Sequence, residues 1–227
     1  MKKLLSIFIC LQVFVVTGAL AQLDGKRFIS GSAGVSFTNS NPDLQKASQF
    51  YGYNLNVDLG KFKTETRASG WNLNSTLSGR KSSFNNVNGE PQVENGISGF
   101  GVGAGYFWQY YKHFNEKFGI FAGPSINGGY LRANEITQSE VEVSDKNMNS
   151  VSISLGLNAG LYYKMSERWW LTASLGFATP LSARYQFDEV TGRSTGTSLK
   201  SNEFKYEFAP AFTFPSVGLG LRYFLKN

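Results

Sequence analysis

Cysteine is nearly missing. The 227-residue chain has one, Cys10, inside the apolar run that opens the sequence. The bulky Ile9 before it does not suit a lipoprotein cleavage site, and beyond residue 21 the absence of any thiol excludes disulfides and thiolate chemistry. Histidine is almost as scarce. His113 is the single one, which leaves no zinc-ligand cluster and only one imidazole that could serve a serine or carboxylate as base, and that one falls in an expected short turn. Catalytic, cofactor-binding and metal-binding residues are therefore all expected to be none. Charged side chains make up only 17% of the chain. After residue 21 no apolar stretch approaches the roughly 20 residues of a spanning helix, so any membrane crossing there has to use strands.

The first 21 residues read as a secretory signal peptide. Lys2 and Lys3 supply the positive start, Leu4 to Val16 the apolar run, and Ala19-Leu20-Ala21 a small-x-small cleavage site before Gln22. One domain, residues 22–227, follows. Without Lys2 and Lys3 the balance is 20 basic to 16 acidic residues. The basic residues are scattered rather than clustered, and export separates the chain from nucleic acid, so no such partner is expected.

What is abundant is aromatic residues, at 15%, and glycine, at 25 residues, a mix that fits an all-β protein. Period-two alternation runs through most of the chain. Ile29, Gly31, Ala33, Val35 and Phe37 alternate with Ser30, Ser32, Gly34 and Ser36. Tyr51, Tyr53, Leu55, Val57 and Leu59 alternate with Gly52, Asn54, Asn56 and Asp58. Further strands are expected from Trp71 to Arg80, Ile97 to Tyr111, Gly119 to Tyr130, Val151 to Tyr163, Leu171 to Phe177 and Val217 to Phe224. Pro124 lacks an amide proton, so the fifth strand should be irregular there. Leu181 to Phe208 should form a hairpin with its tip at Thr191 to Ser198. The glycines of Gly101-Val102-Gly103-Ala104-Gly105 belong to a strand face, since no helix and no Lys-Ser/Thr pair follows them.

One face of each strand is greasy and the other carries Gly, Ser and Asn. A soluble sheet of this kind needs a second apolar layer, whereas a sheet closed on itself with its polar face inside and its apolar face outside suits lipid. About eight strands give the smallest usual transmembrane β-barrel, antiparallel and up-and-down. The last strand should pair with Ile29 to Phe37 to close it. A secreted carrier with an apolar interior is the soluble rival, and the direction of the polar face separates the two.

Connections alternate in length. They are short after the second, fourth and sixth strands and long elsewhere, with loops expected at Lys81 to Asn95 and Arg132 to Ser150. In an outer-membrane barrel the short turns face the periplasm. Trp71, Trp108, Trp169 and Trp170 lie beside those turns and are expected to form a periplasmic aromatic girdle, with Phe37, Tyr51, Tyr130 and Phe177 contributing to the other. On these features the chain resembles the small outer-membrane β-barrel proteins of Gram-negative bacteria. Its signal peptide, with Gln directly after Ala-x-Ala, resembles those common in Bacteroidota. The resemblance implies residence in the outer membrane, contact with its lipid and lipopolysaccharide, and insertion by the barrel-assembly machinery, which reads a terminal aromatic. Here Tyr223 and Phe224 are followed by Leu225-Lys226-Asn227.

An eight-stranded barrel encloses little beyond its own side chains. Inward Asp58 and Arg222 sit toward the same end with one strand between them, and are expected to interact as a lumen charge pair that helps plug it. Arg80 and Lys164 are expected to be solvated at the rims. Function then falls to the long extracellular loops. Arg184, Tyr185, Phe187, Arg193, Phe204, Lys205 and Tyr206 form an aromatic and basic set suited to surface interaction with a ligand the sequence does not name. The expectation is a non-enzymatic barrel with a structural or surface-interaction role. A narrow porin-like channel is the alternative, and a lipid-modifying enzyme a more distant one.

Overall fold

The computed structural model describes residues 23–40, 48–85, 91–138, 143–209 and 217–226. The expected signal peptide, residues 1–21, lies outside the described residues. Among the described residues nine strands form one antiparallel sheet: β1 (Arg27–Ser40), β2 (Ser48–Thr64), β3 (Arg67–Asn85), β4 (Pro91–His113), β5 (Phe118–Gln138), β6 (Val143–Lys164), β7 (Trp169–Gly192), β8 (Ser198–Phe208) and β9 (Val217–Phe224). From β1 to β7 each strand pairs with the next, and β9 closes the ring by pairing with both β7 and β1. Eight strands make the ring. The ninth, β8, pairs with Leu181–Thr191 of β7, while β9 pairs with Trp169–Leu175. Both run antiparallel to β7, so β8 and β9 occupy successive stretches beside the same neighbour.

Among the described residues β9 pairs with Phe28 to Gly31 of β1 and Val217 to Gly220 carry no pairing to it, while Pro215, which this register would set opposite Phe37, lies outside the described residues. Gly218 and Gly220 contribute no side-chain contact in the upper half of β9, which weakens that part of the strand.

Turns at one end are tight. Glu65-Thr66, Phe114 to Lys117 and Met165 to Arg168 join the strands there, and Asn115 caps its turn by accepting the amide protons of Lys117 at 2.9 Å and Phe118 at 2.8 Å. At the other end the expected loops turn out to be mostly strand. β3 runs to Asn85, β4 starts at Pro91, β5 runs to Gln138 and β6 starts at Val143. Backbone groups pair whatever their side chains, so polar stretches can continue a hairpin ladder that an apolar pattern no longer marks. β4 to β7 are 21 to 24 residues long, about twice the 9–11 a tilted membrane-crossing strand needs. The hairpin tip is at Arg193 to Thr197, inside the expected Thr191 to Ser198.

Pro124 interrupts its ladder as expected. β4 and β5 pair through Phe107↔Ser125 and again from Tyr110↔Ala122, with Trp108 and Gln109 unpaired to β5 between them. Next to the gap, Gly123 lets the wall close up: a Cβ there would fall 1.8 Å from the Trp108 carbonyl oxygen. Gly123→Ala is expected to force the strands apart and lower unfolding free energy by about 2–3 kcal/mol. Urea titration of refolded protein measures it; a loss below about 0.5 kcal/mol, the range of neutral surface changes, would mean the gap is free to open.

Candidate functional site

Strand parity sends Phe28, Phe62, Phe107, Tyr111, Phe121, Tyr162, Trp170 and Phe224 to the inner face, and the registers bring them all to the short-turn end. They form one buried cluster with Leu23 and Ala68. Ring centroids lie 4.8 Å apart for Phe62 and Tyr111, 4.6 Å for Tyr162 and Trp170, and 4.7 Å for Trp170 and Phe224, which is aromatic packing distance. Leu23 is brought in by a turn just before β1. Gly25 adopts φ +77° there and donates its amide proton to the Phe62 carbonyl at 3.1 Å. A side chain other than glycine would strain that turn. The ring is therefore stoppered at this end by an apolar plug.

Trp170 corrects the expected girdle. Trp71, Trp108 and Trp169 are 59%, 37% and 44% exposed on the outer face, but Trp170 is 2% exposed and packs in the plug. Neighbours in a strand point to opposite faces, so Trp169 and Trp170 cannot share a belt. Tyr106 fills out the outer row, edge-on to Trp71 at 5.2 Å and to Trp108 at 4.8 Å, and Trp169 meets Tyr223 at 4.8 Å. At the other end Phe37, Tyr51 and Tyr130 are exposed, while the Phe177 side chain lies outside the described residues.

Asp58 and Arg222 do face inward, in one cross-strand row: Ser30 of β1 is opposite Asp58 on β2 and opposite Arg222 on β9. They do not form the expected direct ion pair; no contact within 4.0 Å joins them among the described residues. Asp58 instead accepts hydrogen bonds from the Ser30 hydroxyl at 3.1 Å and the Asn72 amide at 2.6 Å. Arg222 is 2% exposed and turns down onto the plug. Its guanidinium lies 4.0 Å from the Phe28 ring centroid, donates to the Tyr111 hydroxyl, and donates to Gln109 Oε1 at 3.2 Å. The aromatic faces supply negative potential where a carboxylate was expected. The two charged residues still share a wall, that of a cavity of about 120 Å³ directly above the plug.

A second cavity of about 280 Å³ is lined by Asn56, Asp58, Asn72, Ser125, Asn127 and Asn158. Its polar groups satisfy one another: Asn72 donates to Asn56 at 2.6 Å, and Asn127 and Asn158 both donate to the Ser125 hydroxyl at 3.1 Å. His113 sits on the plug's outer side. Nε2 is 3.0 Å from the Glu65 carbonyl, so it carries the proton, and Nδ1 accepts from the Tyr162 hydroxyl. That arrangement ties the first short turn to β4 and β6.

The seven residues expected to offer a surface fall on β7, β8 and their tip, and divide between two faces. Tyr185 is opposite Phe204 on the outer face, with Phe187 edge-on to Tyr185 at 4.6 Å and Tyr206 two residues along. Arg184 and Lys205 are opposite each other on the other face. Arg193 at the tip is drawn away from both: it bonds Asp145 through Nε at 2.8 Å and a terminal nitrogen at 2.6 Å, and reaches Glu94 at 3.4 Å. Arg80 is not solvated either, since it spans from Glu94 at 4.0 Å to Asn134 at 3.4 Å. These contacts lace the extended hairpins together. On the outer edge, the Ser198 hydroxyl and then Lys200 hold the Glu189 carboxyl below the usual carboxylate range, so their support is lost as pH falls through that lowered value.

The plug is the feature the sequence reading missed. Each of its rings was already legible as inward from the alternation of its own strand; their convergence was not. No protein-family model matches this chain, and no curated protein matches it in sequence. Among solved structures, the crystal structure of the beta domain of the Bordetella autotransporter Brka is similar to it over 88% of this chain and 84% of its own, with 9% sequence identity and a TM-score of 0.36.

Proposed function

We propose that this chain is an integral outer-membrane β-barrel protein, exported by a cleaved signal peptide, that acts as a closed, non-enzymatic scaffold presenting its long hairpins outside the cell. The observation that carries this reading is the inversion of polarity across the wall. Asn56, Asp58, Asn72, Asn127 and Asn158 line the interior cavities. Leu55, Leu59, Leu73, Val102, Ile153 and Leu221 are exposed on the outer face. A continuous apolar outer wall of that extent is stable only when something apolar covers it, and phospholipid and lipopolysaccharide do so for an outer-membrane barrel. The exposed belt of Trp71, Trp108 and Trp169 is suited to the headgroup level of the leaflet facing the short turns.

Insertion by the barrel-assembly machinery belongs to the same reading, as does a Bacteroidota-like origin for the leader. The plug argues for a scaffold over a channel, because its buried rings pack against one another across the ring of strands at the short-turn end. Outside, the paired aromatics of β7 and β8 supply an apolar strip and the Arg193 cluster a charged tip, two different surfaces for envelope contacts.

Refolding tests the reading directly. The protein is expected to need detergent or lipid for solubility, to migrate differently in SDS gels before and after boiling, and to give no conductance steps in planar bilayers. A monomer that stays soluble without detergent would return the soluble carrier, and reproducible opening steps would return the channel.

A further inference from the structure

Two neighbouring rows cross the outer face of β1 to β4 at the short-turn end. The registers Ile29↔Leu59, Leu59↔Trp71 and Trp71↔Tyr106 make one row apolar and aromatic. One step nearer the rim, the registers Arg27↔Lys61, Lys61↔Ser69 and Ser69↔Trp108 make a next row that is basic and polar on β1 to β3 and ends on Trp108. Residues two apart on a strand are separated by about 6.6 Å, so the rows lie a headgroup's depth apart. Between them runs an open groove of about 330 Å³, lined by Ile29, Leu59, Trp71 and Tyr106 on one side and by Arg27, Lys61 and Lys63 on the other. Its Tyr106 hydroxyl is already engaged, donating to Ser69 at 2.9 Å.

Among the described residues no carboxylate pairs with the charges of this groove. The ion pairs found among the described residues join Arg80, Lys146, Arg193, Lys200 and Lys205 to carboxylates, all at the long-hairpin end. Arg27, Lys61 and Lys63 are exposed and have no carboxylate within 4.0 Å among the described residues. Segments 23–27, 61–67, 112–118, 164–169 and 225–226, which form this rim, carry ten Lys and Arg against four Asp and Glu. The excess is concentrated where the greasy belt ends.

We infer that this groove is a binding site for one anionic glycerophospholipid, its phosphate held by Arg27, Lys61 and Lys63 and an acyl chain laid along Ile29, Leu59 and Trp71. The site rests on the membrane reading above and adds a ligand to it. Lysine and arginine next to an apolar wall bind a lipid phosphate because the chain fixes its position while the cations meet its charge. The leaflet level with the short turns is the phospholipid one in that reading, which selects phospholipid over lipopolysaccharide as occupant.

The test uses full-length mature protein refolded in a neutral detergent and titrated with phosphatidylglycerol or phosphatidylcholine, with bound lipid counted by native mass spectrometry. The parent is expected to hold one phosphatidylglycerol about tenfold more tightly than phosphatidylcholine. Arg27→Gln/Lys61→Gln/Lys63→Gln should abolish that preference. Lys112→Gln/Lys117→Gln/Lys164→Gln removes the same charge elsewhere on the rim and should keep it. Equal loss in both triple variants would overturn the site in favour of a diffuse collar charge, and so would displacement of the lipid by glycerol phosphate alone. The gel shift on boiling is read on every sample: if the parent lacks it the barrel reading fails, whereas a shift present with no lipid preference refutes only the site.

Discussion

Refolded in lipid bilayers, Phe62→Ala/Trp170→Ala is expected to conduct where the parent chain is silent. Phe62 is 0% exposed and Trp170 2%. Their ring centroids lie 6.2 Å apart, and each also packs on Phe224, at 6.0 Å and 4.7 Å. Truncating a large buried aromatic costs about 3–5 kcal/mol in transfer and cavity terms, so each single variant should show a loss of that order in urea unfolding. Taking out both rings removes the centre of the plug, and the space left borders Arg222, Gln109 and the polar cavities above it. An opening with polar groups on one side is large and wet enough to hold water rather than stay empty. Current steps in the double variant, with the parent silent, would locate the barrier to flow in these rings. Silence in a correctly folded double variant would place it elsewhere in the lumen. Single-variant losses near 1 kcal/mol, the typical cost of an ordinary substitution, would show that the rings are not packed as a stopper.

The second large effect belongs to Arg222. Replacing it with alanine is expected to cost about 3 kcal/mol, of which about 2 comes from the desolvated cation–π contact with Phe28 and the rest from lost packing. Arg222→Lys keeps the charge but cannot lie flat on Phe28 while bonding Tyr111 and Gln109, so it should still lose about 1–2 kcal/mol. Arg222→Met keeps most of the volume and removes a buried charge, and should be the mildest of the three, near 1 kcal/mol. Tyr111 keeps a partner in each case, since its hydroxyl donates to Gln109 Oε1 at 2.6 Å. The same experiment decides what Asp58 does. Because Asp58 is bonded to Ser30 and Asn72 rather than to Arg222, a double-mutant cycle of Asp58→Asn with Arg222→Met should give a coupling of about 0.5 kcal/mol or less. A coupling above about 2 kcal/mol, within the range of directly contacting residues, would restore the ion pair that the shared row first called for.

Arg222 also shows how far a reading of residues can go. Alternation on the last strand put it inward, and spacing put Asp58 one strand away on the same level; the registers agree with both. Its partner was another matter. Choosing between Asp58 on one side and Phe28 with Tyr111 on the other depends on which way a long side chain leans inside the ring, and period two says nothing about that. Trp170 makes the complementary point. Its inward direction follows from Leu171 being outward, and only grouping it with the other tryptophans by kind obscured this. The lengths of β4 to β6 were hidden for a different reason: beyond the apolar band both faces of these hairpins are polar, so pairing continues with no alternation to mark it.

By itself the sequence determined the class of wall: all-β, antiparallel, about eight staves, greasy on one face and small and polar on the other, with tight turns at one end. Those properties reside in single strands and their turns, where neighbouring residues set the pattern. Tertiary structure alone decided that eight inward rings from seven strands meet in one plug, that Arg222 rests on it, and that a basic row falls beside an aromatic one outside. Each of these depends on register between strands, and a shift of two residues would preserve every alternation while scattering all three.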